Sequence, residues 1–251
     1  MNITLRLYYT TNMRAPIYEI IHGSTCYGLN TSTSDIDIKG IFIPSKRQYY
    51  TLDKGKDVHE FMNSKHGGND AVYVSIEKFV SLAINSNPNI LEQLFVEPKF
   101  VMKSTPYSAV LINNRDLFVT KKVINSYIGY SVSQLKRMCS IEKNAEGKRK
   151  DSFDKFGYDT KNAMHLIRLL KMGIEILKEG KVNTFRNDRD ELLKIREGEY
   201  SIQEITDRTE FMREEIRELE RKTTIPDEPD LNKVNNMLYA IVEMYHRDED
   251  N

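Results

Sequence analysis

The chain has 251 residues, and its 37 lysines and arginines balance 37 aspartates and glutamates. Zero net charge excludes a protein that wraps duplex DNA through its overall charge, so any nucleic-acid contact must use a local patch. The two cysteines exclude a disulfide framework, and no apolar run approaches the roughly 18 residues that a membrane-spanning helix needs. We therefore expect a cytoplasmic protein that makes no membrane contact.

The first part of the chain predicts a small mixed β-sheet. Residues 17–22 and 36–43 are rich in β-branched side chains and are bounded by turn-forming residues, which is typical of neighbouring strands. A third β-rich run begins at Asp70. From Ile76 the apolar positions repeat at helical spacing, and Pro88 separates two short helices.

The second part of the chain predicts helices almost throughout. The expected helices cover residues 120–142, 157–179, 187–197, 201–222 and 229–246. The predicted fold class is therefore α+β, with a small mixed β-sheet core flanked by helices and followed by an all-helical domain. We expect the two domains to cover residues 1–105 and 106–251.

Two aspartates, Asp35 and Asp37, stand two positions apart at the start of the second predicted strand. On a regular strand both carboxylates project from one face, while Ile36 and Ile38 face the core. Carboxylates this close repel each other unless a cation lies between them, and hard oxygen ligands suit Mg²⁺ or Mn²⁺. Alone, such a pair is more often turn chemistry, so a metal site needs further support.

That support comes from the turn at Gly23-Ser24, which lies eleven residues before the first aspartate. A glycine lets backbone amides approach a polyphosphate, and the serine hydroxyl can donate to it. Two-metal phosphoryl transfer also needs a third carboxylate on an adjacent strand. Asp70, at the start of the third predicted strand, is the best candidate, and Glu60 and Glu77 are weaker alternatives.

A third group of candidates lies in the helical part. Tyr158, Lys161, His165 and Arg168 are spaced by three, four and three positions, which places them on one face of a helix. The two cations suit phosphate, and either ring could stack on a base. They could instead be solvated side chains beside an apolar core face, but together they favour a nucleotide-binding stripe. The locally basic region 120–176 could hold a polyanionic acceptor such as an RNA end.

Residues 23–42 resemble the signature of the DNA-polymerase-β-like nucleotidyltransferase superfamily, through GSTCYGLN and SDIDIKGIF. More narrowly, they resemble the branch associated with RNA ligases and RNA repair. The similarity extends in blocks over residues 17–205. His22 departs from the pattern, because the superfamily usually has an apolar residue before the glycine.

The resemblance implies roles for five residues. Asp35 and Asp37 would bind both metals and the nucleoside triphosphate, and Asp70 would complete the site. Gly23 and Ser24 would hold the β and γ phosphates. The resemblance also implies that residues 1–105 form the catalytic domain and that the helical domain closes one wall of the nucleotide cleft.

The leading hypothesis is thus a metal-dependent nucleotidyltransferase that moves a nucleoside monophosphate from an NTP to a hydroxyl group and releases pyrophosphate. Mg²⁺ or Mn²⁺ would be the cofactor. The acceptor stays open between an RNA end, a protein hydroxyl and a small molecule. The other class is a non-catalytic nucleotide or RNA sensor with the same fold, and the intact aspartates argue against it because a pure binder gains little from repelling carboxylates.

Overall fold

The computed structural model describes residues 14–32, 34–62, 69–140 and 148–249. Its strands are β1 Tyr18–His22, β2 Asp37–Phe42, β3 Val58–Phe61, β4 Asp70–Ser75 and β5 Val101–Ser104. Within the described ranges they form one five-stranded sheet in the order β3-β4-β2-β1-β5. β2 and β4 are parallel, and the other neighbours are antiparallel. The predicted mixed sheet is confirmed.

The helices continue this α+β pattern and confirm the fold class. They are α1 Gly23–Cys26, α2 Lys46–Tyr50, α3 Ile76–Ala83, α4 Pro88–Leu91, α5 Pro106–Asn113, α6 Lys122–Cys139, α7 Lys148–Phe156, α8 Thr160–Glu179, α9 Arg189–Glu197, α10 Ile202–Glu220 and α11 Leu231–Glu249. Short 3-10 turns cover Glu92–Phe95, Pro98–Phe100 and Arg115–Phe118. Several helix ends follow sequence signals: the Asp159 side chain caps the start of α8, and Gly180, with φ of 65°, ends it.

The chain divides into two compact units whose limits differ from the expected boundary after residue 105. The sheet unit contains the described residues up to Ile84, then Asn89–Phe118 and the chain from Pro229 onward, and the helical unit contains Asn85–Pro88 and Val119–Glu228. The difference arises because α11 packs on α5 and α3 and so belongs with the sheet. Among the described residues, no helix has the length and apolar character needed to cross a bilayer.

The two faces of the sheet carry different side chains, with an apolar cluster on one face and several charged residues on the other. One face carries a core cluster of Ile38, Phe42, Ala71 and Tyr73, with Phe61 packed against it. Gly40 allows this packing, because a Cβ there would lie 2.4 Å from the Tyr73 ring. Since side chains alternate along a strand, this arrangement sends Asp37, Lys39 and Asp70 to the opposite face.

Candidate active site

The site is built where β2 and β4 begin. Asp37 is the first residue of β2 and Asp70 is the first residue of β4, and the two are register partners in the parallel ladder. Side chains of register partners project from the same face of a sheet, and neighbouring strands lie about 4.8 Å apart. Both aspartates are half-buried. The fold thus brings together two of the three predicted carboxylates.

Gly23 places the predicted phosphate-binding turn against one of these carboxylates. β1 ends at His22, which pairs with Asp37, and the chain then turns through α1 with φ of 63° at Gly23. A Cβ at Gly23 would lie 1.9 Å from Asp37 Oδ2. Only glycine therefore fits between the turn and the carboxylate, and half-buried Ser24 follows it directly.

A buried polar network holds this turn from behind. The Tyr27 hydroxyl, just after α1, donates to Glu92 Oε2, and the Glu92 side chain is almost fully buried. The His22 ring packs edge-on against Tyr27, with ring centroids 5.6 Å apart. These contacts explain why a buried histidine is accepted where the superfamily has an apolar residue. The sequence signal for Glu92 was an acidic residue inside the largely apolar segment ILEQLF at residues 90–95.

Lys39 is a site residue that the sequence interpretation missed. It lies two positions after Asp37 on the same strand face. Burial lowers the pKa of its ammonium group, whereas the charges of Asp37, Glu60 and Asp70 act to raise it. The carboxylates therefore surround a lysine on their own face. Glu60, a weaker candidate for the third carboxylate, lies in β3.

Asp35 does not lie on the strand as expected. β2 begins at Asp37, Asp35 is exposed, and Ile36, expected in the core, is 41% exposed. The reason is that β1 ends at His22, the partner of Asp37, so no strand remains for Asp35 to pair with. The expectation that Asp35 and Asp37 share one regular strand is therefore wrong.

A metal site was predicted from Asp35, Asp37 and Asp70. Within the described ranges, no three or more His, Cys, Asp or Glu side chains are grouped so that they could hold a metal ion. The donor chemistry nevertheless fits a hard divalent cation, since the two register-paired carboxylates lie beside the turn at Gly23, where no side chain fills the space next to Asp37. Asp35, the third predicted ligand, lies in the exposed segment before β2.

Three of the four residues of the predicted helical stripe lie on one helix, and Tyr158 does not. α8 begins at Thr160, so Lys161, His165 and Arg168 share a helix face, but Tyr158 precedes the helix. The Tyr158 side chain is buried, and its hydroxyl donates to the backbone carbonyl of Tyr200. It therefore does not belong to the stripe, because the Asp159 cap fixes the helix start after it.

The remaining stripe residues differ in exposure. Lys161 is exposed, whereas Arg168 is buried with its Nη1 3.1 Å from Met172 Sδ. Burial, followed by the charges of Arg168, Lys161 and Arg196, lowers the pKa of His165 to about 3. Arg196, on α9, was not among the predicted site residues. Its only sequence signal was its place in IREGEY, residues 195–200, which lies within the region that resembles the superfamily.

Two comparisons with known proteins find similar sequences. An uncharacterized 38.9 kDa protein from the nrdC–mobD intergenic region of Enterobacteria phage T4 is 31% identical over 116 residues, which cover 43% of this chain. The match spans about a third of the phage protein, or 34% of its length. The model of the RNA repair pathway DNA polymerase beta family matches residues 6–240, nearly the whole sequence. This chain therefore belongs to the RNA repair pathway DNA polymerase beta family.

Proposed function

We propose that the protein is a metal-dependent nucleotidyltransferase that moves a nucleoside monophosphate from an NTP to a hydroxyl group and releases pyrophosphate. Membership of a polymerase-β-like family supports a nucleotidyltransferase role in RNA repair. The observation that carries the proposal is the register pairing of Asp37 with Asp70 beside the Gly23 turn. This arrangement places carboxylate oxygens, and a turn whose backbone a phosphate could approach closely, at one end of the inner strands of the sheet.

The residues of the sheet unit would divide the work as follows. Asp37 and Asp70 would hold Mg²⁺ or Mn²⁺, and Asp35 would join them from the segment before β2. The bound cation would activate the acceptor hydroxyl and stabilise the charge of the leaving pyrophosphate. The Gly23-Ser24 turn would bind the β and γ phosphates through backbone amides and the serine hydroxyl.

Within the helical unit, we propose a nucleotide- or RNA-binding role for the stripe on α8. Lys161 and Arg168 would bind phosphate, and His165 would donate a hydrogen bond or stack on a base. Tyr158, predicted as a nucleotide contact, would instead hold the backbone at Tyr200, to whose carbonyl it is bonded. The RNA repair family supports an RNA end as the acceptor.

Transfer from a labelled nucleotide tests the proposal. The purified protein is incubated with each α-³²P-labelled NTP, Mg²⁺ or Mn²⁺, and RNAs with defined 3′ and 5′ ends. We expect label on RNA, and we expect it to disappear in Asp37→Asn. The matched control is Asp53→Asn, whose carboxylate is exposed in the loop between α2 and β3 and lies 3.9 Å from the Arg47 guanidinium.

The other outcomes are equally informative. Label on the protein itself would make a protein hydroxyl the acceptor. NTP binding without transfer to any acceptor would overturn the enzyme and leave a nucleotide or RNA sensor with the same fold.

A further inference from the structure

α1, the helix that begins at the Gly23 turn, is too short to hold its own position. It has only four residues, Gly23–Cys26. A single helical turn is marginal in water, because its few hydrogen bonds do not offset the entropy lost in ordering the backbone. The position of the Gly23-Ser24 turn against Asp37 therefore depends on contacts that α1 makes with the rest of the sheet unit.

The two ends of α1 differ in burial. Residues 23–25 are half-buried, whereas residues 26–29 are buried. The backbone N–H of Leu29 donates to the carbonyl of Ser24, at 2.8 Å, and ties the buried end to the accessible one. A displacement of the buried end would therefore also displace the turn that faces the candidate site.

Tyr27 fixes this buried end through two contacts. Its ring packs edge-on against His22, the residue just before the turn, and its hydroxyl donates to Glu92 Oε2. His22 is the register partner of Asp37. The ring contact thus links the end of the turn to the strand pair that carries the carboxylate, and the hydroxyl links it to a distant part of the chain.

Glu92 is a buried and well-supported acceptor for this hydroxyl. It begins the 3-10 turn that follows α4, and only 1% of its surface is exposed. The next side chain, Gln93, donates to the carbonyl of Asn89 at 2.6 Å and so holds the 3-10 turn against α4. Burying a carboxylate costs free energy that an apolar residue would not cost. An acid at this place is therefore better explained by the geometry that it imposes on Tyr27 than by stability.

We propose that Tyr27 and Glu92 are positioning residues for the phosphates of the NTP. Their hydrogen bond fixes the buried end of α1, and α1 in turn determines how the backbone of Gly23-Ser24 meets the β and γ phosphates beside Asp37. Both side chains act through the turn, because both are buried behind it. The inference rests on the proposed phosphate-binding role of the turn.

A second buried pair of the same kind provides a matched control. The Tyr73 hydroxyl donates to Glu19 Oε1 at 2.8 Å, and both side chains are buried. Tyr73 belongs to the apolar cluster on the sheet face opposite to Asp37 and Asp70. Tyr73→Phe therefore removes an equivalent hydrogen bond of the same unit without changing a contact of the turn.

Calorimetric titration of the full chain with ATP, tripolyphosphate and adenosine, in Mg²⁺ and without an acceptor, tests the proposal. Tyr27→Phe and Glu92→Leu should each weaken binding of ATP and tripolyphosphate by about five- to tenfold, the size of one lost hydrogen bond. Adenosine binding should not change. Glu92→Gln, which keeps an oxygen acceptor, should stay within about twofold of the wild type, and so should Tyr73→Phe.

Two results would overturn the positioning role. One is unchanged triphosphate binding in Tyr27→Phe, and the other is an equal loss in Tyr27→Phe and Tyr73→Phe, which would indicate a general loss of stability. If Glu92→Leu does not fold, Tyr27→Phe and Glu92→Gln carry the comparison.

A wild-type chain that binds neither ATP nor tripolyphosphate would count against the proposed function instead. Amide hydrogen exchange of residues 22–29 without ligand then tests the positioning by itself, because exchange reports local opening of the backbone. Faster exchange in Tyr27→Phe than in Tyr73→Phe would support the inference, and equal exchange in the two variants would overturn it.

Discussion

Two charged clusters of opposite sign distinguish the sheet unit from the helical unit. In the first, Asp37, Asp70 and Glu60 act on Lys39 across one face of the sheet. In the second, three cations act on His165, whose ring stays neutral. Negative charges therefore act on the lysine of one cluster, and positive charges act on the histidine of the other.

The two clusters are also built differently. Backbone register alone sets Asp37 beside Asp70, because parallel partners on adjacent strands share a face. The basic cluster depends on side-chain packing between α8 and α9, which are linked through Lys171 and its two carboxylates. Substitutions in the acidic cluster should therefore change chemistry with little effect on folding, whereas those in the basic cluster should change stability as well.

Asp70→Asn has the largest expected effect. It tests whether a substitution in the acidic cluster changes the chemistry with little effect on folding. Transfer should fall on the order of 10³-fold, beyond the 10–100-fold typical of residues that only support a metal ligand. The free energy of unfolding without metal should stay the same or rise, because the change relieves repulsion between neighbouring carboxylates. Single-turnover transfer and urea denaturation measure the two quantities, with Asp53→Asn as control. A fully active Asp70→Asn protein would remove Asp70 from the site.

Gly23→Ala tests whether the turn and the carboxylate are as close as the structure shows. The new Cβ would overlap Asp37 Oδ2 and would also require a positive φ at a non-glycine residue. Backbone strain and the clash should lower the free energy of unfolding by about 2–4 kcal/mol and abolish transfer. Gly129→Ala, in the interior of α6 with nothing within 4 Å of the new Cβ, should be neutral or stabilising by about 0.5–1 kcal/mol. Equal stabilities for the two variants would contradict the geometry.

The sequence predicted the acidic cluster better than the basic one for a physical reason. The β-branched runs and the alternation around Asp37 and Asp70 are local patterns, so both strands could be predicted. Asp35 was misplaced because the start of β2 depends on where its partner β1 ends, which is a contact between strands. Lys39 was overlooked because its significance depends on carboxylates from two other strands.

The helical unit shows the same limit. Periodicity located α8, but the Asp159 cap excluded Tyr158 from it. Arg196 could not be connected to His165 because the angle and direction of helix packing are not local properties. β3 and α7 also lacked a local signal, because β3 is short and partly polar and α7 is highly charged.

His165→Gln tests whether the neutral ring of His165 makes the folded protein less stable at low pH. The folded pKa of about 3 lies below the ordinary value of 6.5, so between these limits the unfolded chain binds a proton that the folded chain does not. Stability is therefore lost as pH falls from 6.5 toward 3, by about 2 kcal/mol at pH 5 for this group. Urea denaturation at pH 7 and pH 5 measures the drop in the free energy of unfolding between these two values. We expect this drop to be smaller by about 2 kcal/mol in His165→Gln than in the wild-type protein. An unchanged pH dependence would mean that the ring is not held neutral.

Lys39→Met tests the lysine of the acidic cluster, and here we expect a gain in metal affinity rather than a loss. Removing a positive charge beside two candidate metal ligands should tighten Mn²⁺ binding by about tenfold, because a Coulomb interaction across a partly solvated site amounts to roughly 1–2 kcal/mol. Calorimetric Mn²⁺ titration without nucleotide measures it, and Lys103→Met, a half-buried lysine on β5, is the matched control. Weaker Mn²⁺ binding in Lys39→Met would show that the lysine orders the carboxylates more than it competes with the metal. The lysine would then stabilise the arrangement of the carboxylates around it, whereas the cations around His165 oppose protonation of the ring.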